Sequence, residues 1–224
     1  KDFPPKVLSD QLQHMQLSRN GIYDPKLLCA DCETRMGRFD NEGIDVLLHQ
    51  YDRLAKPVPW LPKELVLGVS GIEVGRLKRF ILSVLWRAHA SQLPFFEKTN
   101  LGPYADLLRS HLKLDHLDWV DRYAVILVRF DGRPLTGLFE RGIMLSPIRE
   151  RIEGCWCHRI YLPPFQTIVC VTQKQPKALT SPIALRLGSE MLVLQQSKLG
   201  PNVLAKIQRL VQHAQSALER PRRQ

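Results

Sequence analysis

The stretch LLCADCETRMGRFDNEGIDVL, Leu27 to Leu47, decides how the rest of the chain is read. It opens on a C-x-x-C pair, Cys29 and Cys32. The turn between cysteines at this spacing points both sulfurs the same way, so the pair can grip one side of a tetrahedral zinc ion. In the acidic run that follows, FDNEGIDVLLHQYDRL, Leu47, Leu48, Tyr51 and Leu54 recur at helical spacing and predict a helix after the finger. Zinc needs four ligands, and three sources are open for the other two. The segment CWCHR, Cys155 to Arg159, holds two thiols and His158, but C-x-C is tight for one ion, and in a strand 155 and 157 are simply two cysteines of one face. His14 and His49 are near in sequence, where a lone histidine can equally be a surface or core residue. The third source lies upstream of Lys1.

Outward from this element the chain divides into three regions. Residues 1–62 are turn-rich, with Pro4-Pro5, Asn20-Gly21 and Asp24-Pro25 as punctuation, and end on KPVPWLP, an extended linker whose prolines 57, 59 and 62 forbid a helix. Residues 63–118 read as helical. Ser70 to Glu73 has the form of a capping box, Leu77, Ile81, Val84, Leu85 and Ala88 share one face, and Pro103 suits the first turn of a helix carrying Leu107, Leu108 and Leu112. Residues 119–224 turn to strands: YAVILVRF, LTGLFERGIML, HRIYLPPF, FQTIVCVTQ and IALRLGSEMLVLQQ predict an antiparallel sheet. A last helix, opened by Pro201 and striped with Leu204, Ile207, Leu210, Val211, Ala214 and Leu218, is expected to cover it. The expected class is α+β: a treble-clef-like zinc-finger fragment, a helical middle, and a mainly antiparallel sheet under a helix.

At 224 residues, 44% hydrophobic and 24% charged, the composition is that of a globular protein with a real core. No apolar run approaches a membrane span, and KDFPPKVLSD has no signal core. The missing initial Met suggests a processed chain or part of a longer one. Five cysteines, spaced 29/32, 155/157 and 170, fit free or metal-bound thiols in a reducing cytoplasm better than a disulfide framework, with Cys170 a core residue. The net charge of +10 is uneven: residues 141–224 hold 13 Lys and Arg against 4 Asp and Glu, net +9. Such a field draws phosphate backbones, although a basic tail such as ERPRRQ can be merely solvated. Arg76, Arg79 and Arg87 lie off the apolar stripe of the middle helix, either on its wet face or against phosphate; Arg149, Arg151 and Arg159 are the matching candidates in the basic third. No phosphate-cradling loop, dinucleotide fingerprint or nucleophile elbow is present, which argues against a nucleotide-driven motor or a serine hydrolase.

The segments KDFPPKVLSD and GIYDPKLLCADCETRMGRFDNEG resemble the core of bacterial HNH-type proteins, in which an upstream C-x-x-C, a Ser-His-hydrophobic-hydrophobic-Pro-Lys block and a Gly-hydrophobic-Tyr-Asp segment lead into Leu-Cys-x-x-Cys-Glu. Gly21-Ile22-Tyr23-Asp24 and Leu28 to Glu33 carry the likeness, and FILSVLWRAHASQLPFF and LGPYADLLR extend it over the first half of the chain. The resemblance implies a treble-clef finger of the ββα-metal kind with structural zinc on Cys29 and Cys32. It also implies a second metal, Mg2+ or Mn2+, for phosphodiester cleavage in a setting of bacterial or phage defence or a mobile element. Aligning Pro5-Lys6 with the family's Pro-Lys puts Asp2 where its histidine stands, and a carboxylate of ordinary pKa near 4 is a poor base at neutral pH. Asp2, Asp24 and Asn41 are the metal-site candidates. Two readings follow: an HNH-like DNA endonuclease, weakened at Asp2, or a non-catalytic nucleic-acid-binding or assembly subunit of a larger complex. A protein-only adaptor would differ from both in lacking salt-dependent DNA affinity.

Overall fold

The computed structural model describes residues 6–8, 16–17, 22, 24–59, 61, 65–130, 143–179 and 182–196. Two short antiparallel strands, β1 (Lys6–Leu8) and β2 (Gln16–Leu17), precede a long helical run. The run comprises α1 (Ala30–Ile44), a π-helical turn over Asp45–Gln50, and α2 (Tyr51–Leu54). Helix thus begins inside the C-x-x-C element, ahead of the predicted leucine stripe. The π turn also breaks that stripe. It widens the helix by one residue per turn and rotates the face, so Leu47 and Tyr51 are buried while Leu48 is 56% exposed.

The chain continues through β3 (Ala55–Pro57) and β4 (Val66–Val69) into α3 (Val74–Ala90) and α4 (Tyr104–Leu112). Then follow β5 (Ala124–Phe130), β6 (Ile143–Leu145), β7 (Ile148–Ile152), β8 (Cys155–Leu162), β9 (Phe165–Cys170) and β10 (Met191–Gln196). Seven strands form one sheet in the order β3-β4-β10-β5-β9-β8-β7, and β2-β1-β6 form a second. The architecture is mixed α+β with a mostly antiparallel large sheet. It differs from expectation in three respects. The stretch expected to be a linker supplies β3, an edge strand, where a proline costs no ladder bond. The region expected to be helical supplies β4. The pair β5–β10 is parallel, because β9 runs antiparallel to β5 and the connection 171–190 passes to the other side of β5 and starts β10 from the end at which β9 stops. The predicted C-terminal helix and residues 135–142 of LTGLFERGIML lie outside the described residues.

Strand β5 is an almost unbroken buried run because both faces of the sheet are covered there. On one face, Val125, Leu127, Ile160, Phe165 and Val169 meet Leu77, Ile81 and Leu85 of α3 and Met36 and Phe39 of α1. On the other, Ala124, Ile126, Val128, Cys155, Cys157 and Cys170 pack with Leu179 and Ile183 of the crossing segment. Helix α3 starts at Val74 rather than at the predicted capping box. Gly71, at φ +79°, turns the chain first, and the Ser70 hydroxyl donates instead to Glu190 Oε1 at 2.7 Å. Lys78, 2% exposed, ties α3 to the sheet's surroundings by donating to Asp121 Oδ1 and the Leu185 carbonyl, both at 2.8 Å.

Candidate functional site

Cys29 is the N-cap of α1, held extended at φ −75°, ψ 163°, and Cys32 lies in the first helical turn. Both thiols are free and exposed. The nearby Cys32 backbone N–H and thiol favour the Cys29 thiolate and lower its pKa from the usual thiol value. The Cys32 thiol is raised, chiefly because it donates to Cys29. Free amides at a helix N-terminus favour a thiolate there. The pair therefore fits half of a tetrahedral zinc site by donor type and spacing, with Cys29 the readier of the two to ionise.

The other half does not come from the described alternatives. Cys155 and Cys157 are buried on the face of the sheet opposite to the one α1 packs against. His158 is buried beneath the Asn100 backbone. His49 is exposed on the π turn, and 17 helical residues at 1.5 Å each separate it from Cys32 by roughly 25 Å. His14 lies outside the described residues. Among the described residues, no three His, Cys, Asp or Glu side chains converge as a metal-binding group.

Beside the cysteine turn is a cavity of about 420 Å3, walled by apolar side chains of α1, α3 and the end of β8. Asp24, Glu33, Asp40, Arg87, Ser91 and Tyr161 are its charged and polar groups. Asp24 accepts the Ser91 hydroxyl at 2.7 Å and the Lys26 N–H at 3.1 Å. The Ser91 bond is the main reason its pKa falls below the usual carboxylate value. Asp40 is held by Arg87 through both guanidinium nitrogens, one at 2.8 Å. Asn41 is exposed on α1 and does not line this cavity, and Asp2 lies outside the described residues. The proposed magnesium or manganese ligands are thus not brought together among the described residues.

The six arginines separate into two kinds. Arg79 donates to Glu42 at 3.1 Å and lies over the Phe39 ring at 4.1 Å, Arg87 clasps Asp40, and the more exposed Arg76 stands 3.7 Å from Glu42. These three fasten α3 to α1. Arg159 pairs with Glu150 at 2.7 Å. Arg149 and Arg151 are exposed and lie over the Trp156 ring at 4.0 and 4.6 Å. Sequence reasoning missed Ser91, which nothing short of the fold brings to Asp24, 67 residues away. It also gave no role to Trp156, although strand alternation already set it on the face opposite that of Cys155 and Cys157.

No family model matches this chain, nor does any curated protein or solved structure. No described helix is long and apolar enough to cross a membrane.

Proposed function

We propose that this chain is an HNH-like, DNA-binding protein in which Cys29 and Cys32 supply half of a structural zinc site. The observation that carries the reading is the C-x-x-C pair at the N-terminus of α1, directly after the β1–β2 pair, with both thiols exposed and Cys29 disposed to ionise. This β-β-α order and donor set are what the resemblance to HNH-type proteins implies. Zinc bound there would cross-link the helix start to the chain that supplies its other two ligands, an arrangement in which metal binding is folding energy. The net charge of +10 supports a nucleic-acid partner, and the reading leaves room for protein partners in a larger complex.

Endonuclease activity in bacterial defence is the second reading. It is favoured by one feature: Asp24, its pKa lowered, lines the cavity beside the cysteine turn. Asp2 would be its partner on a divalent metal, whereas Asn41, exposed on α1 away from this cavity, would not.

Metal content and plasmid nicking with magnesium or manganese test both readings on the full chain, C29S/C32S and D2A. One zinc per chain, lost in C29S/C32S, supports the finger, and nicking lost in D2A supports the nuclease. Zinc without nicking leaves a DNA-binding scaffold. A chain that binds no zinc overturns the finger and the HNH-like reading with it.

A further inference from the structure

Strands β7 and β8 form the outer edge of the large sheet, and one face of this ribbon carries a group the finger does not explain. Cross-strand pairing sets Arg151 opposite Trp156 and Arg149 opposite His158, so all four side chains share that face. His158 is buried at the inner end, whereas Trp156 keeps 37% exposure with both guanidiniums over its ring. Among the described residues, neither Arg149 nor Arg151 pairs with a carboxylate. The two acidic residues of 148–162 are engaged elsewhere: Glu150 accepts from Arg159 on the opposite face, and Glu153 Oε2 accepts the Lys177 N–H at 2.6 Å. A guanidinium stacked on an aromatic ring keeps its N–H edge free for phosphate.

We propose that the Arg149–Trp156–Arg151 face binds single-stranded nucleic acid, with an unpaired base taking the place of a guanidinium over the Trp156 ring and the arginines turning their N–H edges to the flanking phosphates. The inference rests on the nucleic-acid reading above and narrows it to a strand form and a surface. Charge complementarity identifies a polyanion, and the exposed indole selects among polyanions. Duplex bases are stacked internally and offer no π-face, and an acidic peptide would engage the arginines without needing the ring. Stacking on aromatic rings with backbone phosphates on cations is the general physics of single-strand binding, and every base has a face to offer, so little sequence preference is expected.

The test measures anisotropy of labelled oligothymidylate and of a duplex of equal length against the full chain, W156A, W156F and R149A/R151A. Thermal melting accompanies each variant. The expected result is preference for the single strand, a loss of about tenfold or more in W156A, and rescue in W156F. In R149A/R151A the slope of log affinity against log salt should fall by about 1.4, for two phosphate contacts on a single strand. Nucleic-acid binding that survives intact in folded W156A and R149A/R151A overturns this surface while leaving the DNA-binding reading in place. So does equal affinity for the duplex, or displacement of oligothymidylate by polyglutamate as readily from W156A as from the full chain. Absence of binding to either nucleic acid at low salt overturns both.

Discussion

Gly43 of α1 lies flat against the ring of Phe80 of α3: a Cβ placed on Gly43 would stand 2.1 Å from Phe80 Cδ1 and 2.2 Å from Cγ. This contact lets the two helices approach closely, and the ion pairs of Glu42 with Arg79 and Asp40 with Arg87 flank it. Gly43→Ala brings two opposed effects. Helix propensity favours alanine by roughly 1 kcal/mol. Overpacking a core contact costs about 1–3 kcal/mol, and the ring, 6% exposed, has little space to retreat. The overlap is deep enough for the second effect to win. G43A is expected to melt several degrees lower, and adding Phe80→Leu should recover part of that loss because the leucine vacates the ring's volume. A G43A protein as stable as the parent, by thermal melting, would show that the helices are not in contact here.

His158 makes stability depend on pH. Burial is the main reason its pKa is pushed down to about 4, with the Arg149 charge adding to it, and neither ring nitrogen has a hydrogen-bond partner of good geometry among the described residues. The folded state therefore holds the neutral ring, while the unfolded chain takes up a proton near pH 6.5. The resulting stability is fully present above pH 6.5 and is lost as pH falls toward 4. At pH 4.5 the loss attributable to this group is roughly 2 to 3 kcal/mol. H158F, which has no titrating ring, should lack this component. Urea unfolding of both proteins at pH 7 and pH 4.5 checks it; parallel losses in the two would mean that His158 is protonated in the fold.

The sequence is most legible where one periodicity holds over a long stretch. The stripe Leu77, Ile81, Leu85 and Ala88 lies in the core of α3, YAVILVRF is a central strand, and Cys155 and Cys157 share a buried face across from Trp156. Local signals mislead where a distant partner intervenes. Ser70 reads as a cap until Glu190 takes its hydroxyl, and the leucines after the finger read as one stripe until the π turn shifts Leu48 outward. Strand β4 is hidden because VLGV is too short for a periodicity of its own and is strand only by pairing with β3 and β10. At the candidate site the cysteine pair is visible from spacing, whereas the bond of Asp24 to Ser91 and the commitment of Arg79 and Arg87 to α1 are products of the tertiary fold.

The Ser91 hydroxyl is predicted to set the acidity of Asp24. Ser91→Ala removes the largest influence holding that carboxyl below its usual pKa and leaves the Lys26 and Gln92 amides in place. Asp24 should then titrate at higher pH, though still under the influence of the two amides. Carbon-detected NMR of the side-chain carboxyl against pH reads this directly. An unchanged midpoint in S91A would mean that the 2.7 Å contact is not made in solution.

Thiol accessibility links the fold to the proposed zinc site. Of the five cysteines, Cys29 and Cys32 are exposed, whereas Cys155, Cys157 and Cys170 are buried, Cys157 directly across the β8–β9 ladder from Cys170. Reaction with an aromatic disulfide reagent needs both access and thiolate, and Cys29 meets both conditions. In the presence of a chelator the native chain should release two equivalents of chromophore quickly and the remaining three only on unfolding. C29S/C32S should release none until it unfolds. Zinc added before the reagent should protect the fast pair if it binds there, because a metal-bound sulfur is a poor nucleophile toward the reagent. A third fast thiol in the native protein would place one of the sheet cysteines in solvent and contradict the burial of the β8–β9 face.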